Sequence, residues 1–178
     1  VGVREGQGSI VFEIKQLVSG IEEIERSREE TEERMREYLK EIPYSRYMLS
    51  IEGIGEVTVS GLIGEVGDFT KYKTVAEITK LAGLDLFEVS SGKHKGERHI
   101  SKRGRPLMRK LLFYAAINAV QKGRIMHEQY ERYLQRGMPR MKALIAIARK
   151  LLGVLFALVR EQSEYVRNYE EIPLKKVA

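Results

Sequence analysis

Between Ser91 and Lys110 the chain carries Lys93, Lys95, Arg98, Lys102, Arg103, Arg105, Arg109 and Lys110 against a single acid, Glu97. Eight cations in twenty residues suit a polyanion, and nucleic acid is the commonest such partner. Ser90, Ser91 and Gly92 open this stretch, and Gly96 falls within it. A serine hydroxyl here is a candidate to attack a phosphodiester, provided that it is activated and the phosphate's charge is neutralised. Arginine neutralises by bidentate contact and lysine as a point charge. Residue chemistry alone leaves the serine open, because Ser-Gly pairs also make ordinary turns.

Other chemistries are weaker. Asp68 and Asp85 are the only aspartates, and the glutamates lie mainly near the N-terminus, so no spacing suggests a two-metal nuclease. His94 and His99 fit contacts to phosphate or solvent as well as proton transfer. Tyr130 and Tyr133 stand three residues apart on an expected helix and read as packing rather than as a nucleophile.

A second motif lies upstream, in Ile51-Glu52-Gly53-Ile54-Gly55. Apolar residues precede it and an apolar-periodic segment follows to Gly67, the pattern of a helix-hairpin-helix. Gly53 and Gly55 would admit positive φ and close backbone approach. The N–H groups at the start of the second helix could then hold a phosphate. A plain turn between helices satisfies the same residues.

The surrounding elements are expected to be mainly α-helical. Residues 10–42 read as one long helix, with Ile14, Leu17, Ile21, Ile24, Arg28, Thr31, Met35 and Tyr38 in steps of three and four. Gly20 weakens it, and Pro43 ends it. Thr74 and Glu77 form a capping-box pattern for a helix over 75–81, with Gly83 as its C-cap. A short apolar run at 84–87 suggests a strand, and at most a small β element is expected near 84–100. Pro106 fits the first turn of a helix reaching about Gln121, whose buried face is expected from Leu107, Leu111, Leu112, Tyr114, Ala115, Asn118 and Ala119. Further helices are expected at 127–135 and from Met141 to about Glu161, the latter central to the core. The tail from Tyr165 looks loosely attached.

Composition sets outer bounds. A hydrophobic fraction of 43% indicates a folded chain. The absence of cysteine excludes disulfides, thiolate nucleophiles and cysteine-based zinc sites. The three histidines are too scattered for a metal cage. Charged residues bracket Leu151 to Val159, so no apolar run has membrane-spanning length. The net charge of +6 is uneven, with 7 Lys/Arg and 11 Asp/Glu in residues 1–45 and a basic remainder. An acidic helix of 1–45, a basic body of 46–166 and a tail of 167–178 are the expected divisions. The chain begins with Val1 and shows no signal-peptide pattern, so a fragment or processed product is expected.

The order of motifs is more specific than any one of them. Ile51-Glu52-Gly53-Ile54-Gly55 is followed by Leu81-Ala82-Gly83-Leu84, Ser91-Gly92, Ile100-Ser101-Lys102-Arg103-Gly104, Leu107-Met108-Arg109 and Ala148-Arg149-Lys150-Leu151-Leu152. Over roughly Met48 to Val166 this resembles the C-terminal transposase domain of the insertion sequence one-ten/one-sixteen type, the DEDD or bridge-RNA-guided recombinases. The acidic helix resembles that family's coiled-coil linker. The resemblance implies a serine that links covalently to DNA, and it falls on Ser91, with the adjacent Ser90 as the alternative. It implies phosphate contacts from Lys102 and Arg109 and a backbone contact at Gly53 and Gly55. It further implies a guide RNA, a homo-oligomer through the N-terminal helix, no membrane and a cytoplasmic location. Magnesium is expected only in a RuvC-like domain, whose acidic ligands these residues do not include. The isolated chain is therefore expected to be inactive in recombination. The pattern departs from the family where Asp85-Leu86 stands in place of a proline. The rival expectation is a non-catalytic helix-hairpin-helix module that only binds nucleic acid, and a third is a purely structural coiled-coil protein.

Overall fold

The computed structural model describes residues 7–88 and 98–167. The chain divides into two units, residues 1–41 and 42–178. The first contains one helix, α1 (Gln7–Glu41). At 1.5 Å per residue it is about 50 Å long. Its apolar stripe is open to solvent, with Ile14, Leu17, Ile21 and Ile24 all exposed. Along its polar surface Arg28 pairs with Glu32 and Arg36 with Glu33, weak contacts typical of an exposed helix.

The second unit is built from α2 (Ser45–Leu49), α3 (Glu56–Val66), a single 3₁₀ turn (Phe69–Lys71), α4 (Val75–Leu81), β1 (Leu86–Glu88), β2 (Arg98–Ile100), α5 (Pro106–Ala119), α6 (His127–Gln135) and α7 (Arg140–Glu161). The described residues are thus mainly helical, with one small two-stranded sheet. No helix among them is long and apolar enough to cross a membrane.

Helix α7 is the centre of this unit. It touches α2, α4, α5, α6 and the 3₁₀ turn. Its sequence explains why. Ala143, Ile147, Ala148, Leu151, Leu152, Leu155, Phe156, Leu158 and Val159 are buried, a stripe wide enough to face several neighbours. The helix ends at Gln162, which adopts a left-handed conformation at φ 50°. Beyond it the chain is fastened at Tyr165, whose backbone N–H donates to Ser50 Oγ at 2.7 Å.

The buried face of α5 differs from the sequence expectation. Met108, Leu112, Ala115, Ala116 and Ala119 are buried, whereas Leu107, Tyr114 and Asn118 are exposed. The apolar residues of α5 run nearly all round it, so periodicity does not select a face; packing against α3 and α7 does. A Cβ on Gly61 would meet Leu111 Cδ1 at 2.6 Å, and a Cβ on Gly53 would lie 3.9 Å from Asn118 Cβ. Helices α3 and α5 therefore run antiparallel, with Gly61 admitting a close approach.

Local sequence chemistry sets most boundaries. Pro106 occupies the first turn of α5. Asp68 caps the 3₁₀ turn, accepting from the Thr70 N–H at 2.9 Å and from its hydroxyl at 2.7 Å. Those two bonds hold the Asp68 carboxyl below its usual pKa. The Thr74–Glu77 box is only partly formed. Thr74 Oγ1 donates to Glu77, and Glu77 accepts from the Lys73 N–H at 3.1 Å, while Thr74 itself makes no side-chain cap.

The packing of α7 makes a direct prediction. Leu155 is fully buried. Leu155→Ala is expected to cost about 2–5 kcal/mol in chemical denaturation.

Candidate nucleic-acid interface

The described part of the cationic stretch, residues 98–110, is organised around the C-terminal end of α4. A helix leaves its last carbonyls without intrahelical partners. Here Gly83, at φ +65°, turns the chain back in a Schellman arrangement. The Gly83 N–H donates to Lys80 O at 2.9 Å and the Leu84 N–H to Thr79 O at 3.0 Å. The next carbonyls are satisfied from residues 101–109. The Arg105 N–H donates to Leu81 O at 2.9 Å, Arg109 Nη1 to Ala82 O at 3.0 Å, and the Lys102 N–H to Gly83 O at 3.0 Å.

Residues 101–105, a strap across the end of α4, join directly to the small sheet. The Ser101 N–H donates to Asp85 O at 2.9 Å, and Leu86, Phe87 and Glu88 then pair with Ile100, His99 and Arg98. Ser101 Oγ also donates to the Asp85 carboxylate and accepts from the Arg103 N–H at 3.3 Å. Asp85 is thus a structural partner of Ser101, a role its isolated place in the sequence did not suggest. The strands bring Glu88 and Arg98 opposite each other at the end of the hairpin.

Two glycines make this contact close. A Cβ on Gly104 would sit 2.3 Å from Leu81 O and 2.5 Å from Gly83 N. A Cβ on Gly83 would sit 2.8 Å from Arg109 Nη1. Lys102 is held at φ 54°, a left-handed conformation that costs a non-glycine residue about 1 kcal/mol or more. With its backbone tied to α4, the strap leaves Lys102, Arg103 and Arg105 exposed, and Lys110 one helical turn beyond is exposed too. Arg109 differs. It is half-buried, and its guanidinium is engaged by Ala82.

Of the other candidate residues, Ser90, Ser91, Lys93 and Lys95 lie outside the described residues, as does the side chain of Arg98. His99 is exposed and stacks obliquely on Phe87, their ring centroids 6.4 Å apart. His127 Nδ1 lies 2.9 Å from Val120 O, a helix-joining contact. Tyr130 and Tyr133 are half-buried on α6. Among the described residues no three His, Asp or Glu side chains come together in a way that could hold a metal ion.

The turn between α2 and α3 forms a second feature of the surface. Gly53 has φ +91°, and Gly55 caps α3 with nothing within 4 Å of the position its Cβ would take. The backbone there is open to close approach. Arg124, which no sequence motif marks, reaches this turn from 71 residues beyond Gly53 and pairs with Glu52 at 2.8 Å. Its Nη1 lies 3.3 Å from the position of a Cβ on Gly53. Glu56 stands in the first turn of α3, where its carboxylate complements the helix dipole.

Residues 45–131, from α2 into α6, match the model of the Transposase IS116/IS110/IS902 family. The strap and the α2–α3 turn both fall inside this matched region. The chain is 28% identical over 160 residues to the insertion element IS110 uncharacterized 43.6 kDa protein of Streptomyces coelicolor, covering 90% of this chain and 40% of that protein. It is 29% identical over 121 residues to a probable family 20 transposase of Pseudomonas aeruginosa, covering 66% and 36% respectively. It is 30% identical over 128 residues to the pilin gene-inverting protein of Moraxella bovis, covering 70% and 39%. The chain thus spans about two fifths of the length of these relatives.

The strap is sensitive to any added atom at its tightest point. Gly104→Ala is expected to push the strap off α4 and lower stability by about 1–3 kcal/mol. Thermal or denaturant unfolding measures this, with Gly64→Ala as a control where the Cβ enters open space.

Proposed function

We propose that this chain is the part of an insertion-sequence DNA transposase that grips the DNA backbone and supplies a serine nucleophile for strand exchange. The observation that carries the reading is the exposed edge of Lys102, Arg103 and Arg105, tied by backbone hydrogen bonds to the end of α4 within the region that matches the transposase-family model. Cations carried on a fixed backbone suit phosphates better than cations on a mobile loop do, because the backbone need not be ordered on binding. Such contacts position the protein on the backbone without reading bases. The α2–α3 turn, as a helix-hairpin-helix, would add a backbone contact through Gly53 and Gly55.

The nucleophile is Ser91, on the family resemblance. Its Oγ attacks the phosphorus, and its proton goes to a base. The bond from phosphorus to one DNA ester oxygen breaks, and that oxygen leaves as a hydroxyl. Attack by a second DNA hydroxyl then reforms a phosphodiester and releases the serine. Energy is conserved in the phosphoserine ester, so no external energy source is needed. Lys102, Arg103 and Arg105 would neutralise the charge that builds on the phosphate. A RuvC-like domain, magnesium held in that domain and a guide RNA belong to the proposed whole protein. The exposed stripe of α1 pairs with a second copy as a coiled coil in this reading.

Duplex DNA binding by this chain across a salt series tests the edge. Lys102→Ala, Arg103→Ala and Arg105→Ala should each weaken binding and flatten the dependence of log Kobs on log salt by about 0.9. Unchanged slopes in all three would remove the edge from the interface. The nucleophile is tested in the full-length protein with its DNA and guide RNA, where Ser91→Ala should abolish the covalent adduct. An adduct that persists refutes Ser91, and binding without any adduct in the unsubstituted protein favours a module that only binds.

A further inference from the structure

The sequence groups Arg109 with the phosphate-binding cations, but its surroundings set it apart. Lys102, Arg103, Arg105 and Lys110 are exposed, whereas Arg109 is half-buried. Its Nη1 donates to Ala82 O at 3.0 Å, and that carbonyl lies between Leu81 O and Gly83 O, which the strap's own N–H groups occupy. Its charge stands at the C-terminal end of α4, where the helix dipole favours a cation. The guanidinium lies close over the turn, 2.8 Å from the position a Cβ on Gly83 would take.

We infer that Arg109 is a positioning residue for the cationic edge and not a phosphate ligand. It joins the first turn of α5 to the end of α4, and so fixes the strap between them whose side chains meet DNA. This rests on the reading of the edge as the DNA contact, while the fastening itself concerns only the free protein. A lysine would keep the charge, but it lacks the planar fork and is shorter by one atom. An arginine reaches across the turn and spreads its charge over the carbonyl it caps.

Amide hydrogen exchange in the DNA-free chain tests the fastening. Arg109→Ala is expected to speed exchange at the Lys102 and Arg105 amides by about tenfold, while amides in the middle of α7 stay unchanged. Arg109→Lys should restore part of that protection. Arg109→Met, which keeps the apolar stem, replaces the alanine variant if that one loses cooperative unfolding. If the methionine variant also fails to fold, a ligand-only role is excluded, because losing a phosphate contact does not unfold a free protein. Unchanged exchange at both amides overturns the inference.

Duplex DNA binding supplies the second readout. Arg109→Met should weaken binding while leaving the salt slope within about 0.3 of the parent, unlike Arg103→Ala, which loses about 0.9. A slope loss in Arg109→Met equal to that of Arg103→Ala, with amide exchange unaltered, would make Arg109 a phosphate ligand. If Arg109 passes the exchange test while no substitution at 102, 103 or 105 affects binding, the DNA reading fails and the positioning role stands.

Discussion

The end of α4 imposes the constraint around which the candidate interface is arranged. Three successive carbonyls, those of Leu81, Ala82 and Gly83, point past the helix and need donors. The chain meets that need with a segment distant in sequence, through the amides of Arg105 and Lys102 and the guanidinium of Arg109. Satisfying the helix end therefore also fixes the cationic strap. Gly83 and Gly104 are what allow the two backbones to come close enough, since a Cβ on either would collide with its partner. A structural requirement of ordinary backbone chemistry and a surface suited to phosphate are thus the same contact.

Helix α7 supplies the rigid support behind it. Its broad apolar stripe meets α4 and α5, the two helices joined by the strap, as well as α2, α6 and the 3₁₀ turn. Strain at Lys102 is tolerated because neighbouring hydrogen bonds over-determine its backbone. The arrangement keeps a cation in a conformation that glycine would adopt at less cost.

The proposed reading of the strap as a surface for polyanions draws its support from the family-model match, the relatives and the exposed cations themselves. Ser91 and the cations Lys93 and Lys95 enter the proposal through sequence and resemblance alone. The helix-hairpin-helix reading of the α2–α3 turn stands on the open backbone at Gly55 and on Arg124 nearby. Glu52 and Glu56 temper the positive field there, which makes the strap the stronger of the two candidates for phosphate contact.

Much of the fold was legible because its signals are local. Pro106 marked the start of α5, Gly83 the end of α4, and Pro43 the end of α1. The apolar richness of Met141 to Glu161 marked the central helix. Where signals conflicted, the sequence could not decide. Helix α5 is apolar on several sides, and only its neighbours chose Met108, Ala116 and Ala119 over Leu107 and Tyr114. The 3₁₀ turn after Asp68 was too short to leave a period.

The sequence by itself determined that a dense cationic stretch follows a Gly-capped helix and lies among helices. Those are properties of composition and of contacts within a few residues. Only the tertiary structure decided which of the described cations face solvent and which one is tied to a carbonyl. Whether an arginine faces solvent or a carbonyl depends on a partner some 27 positions away, as with Arg109 and Ala82, and no local pattern encodes that pairing. For the same reason Arg124 at Gly53 and Asp85 at Ser101 were invisible until the chain was folded.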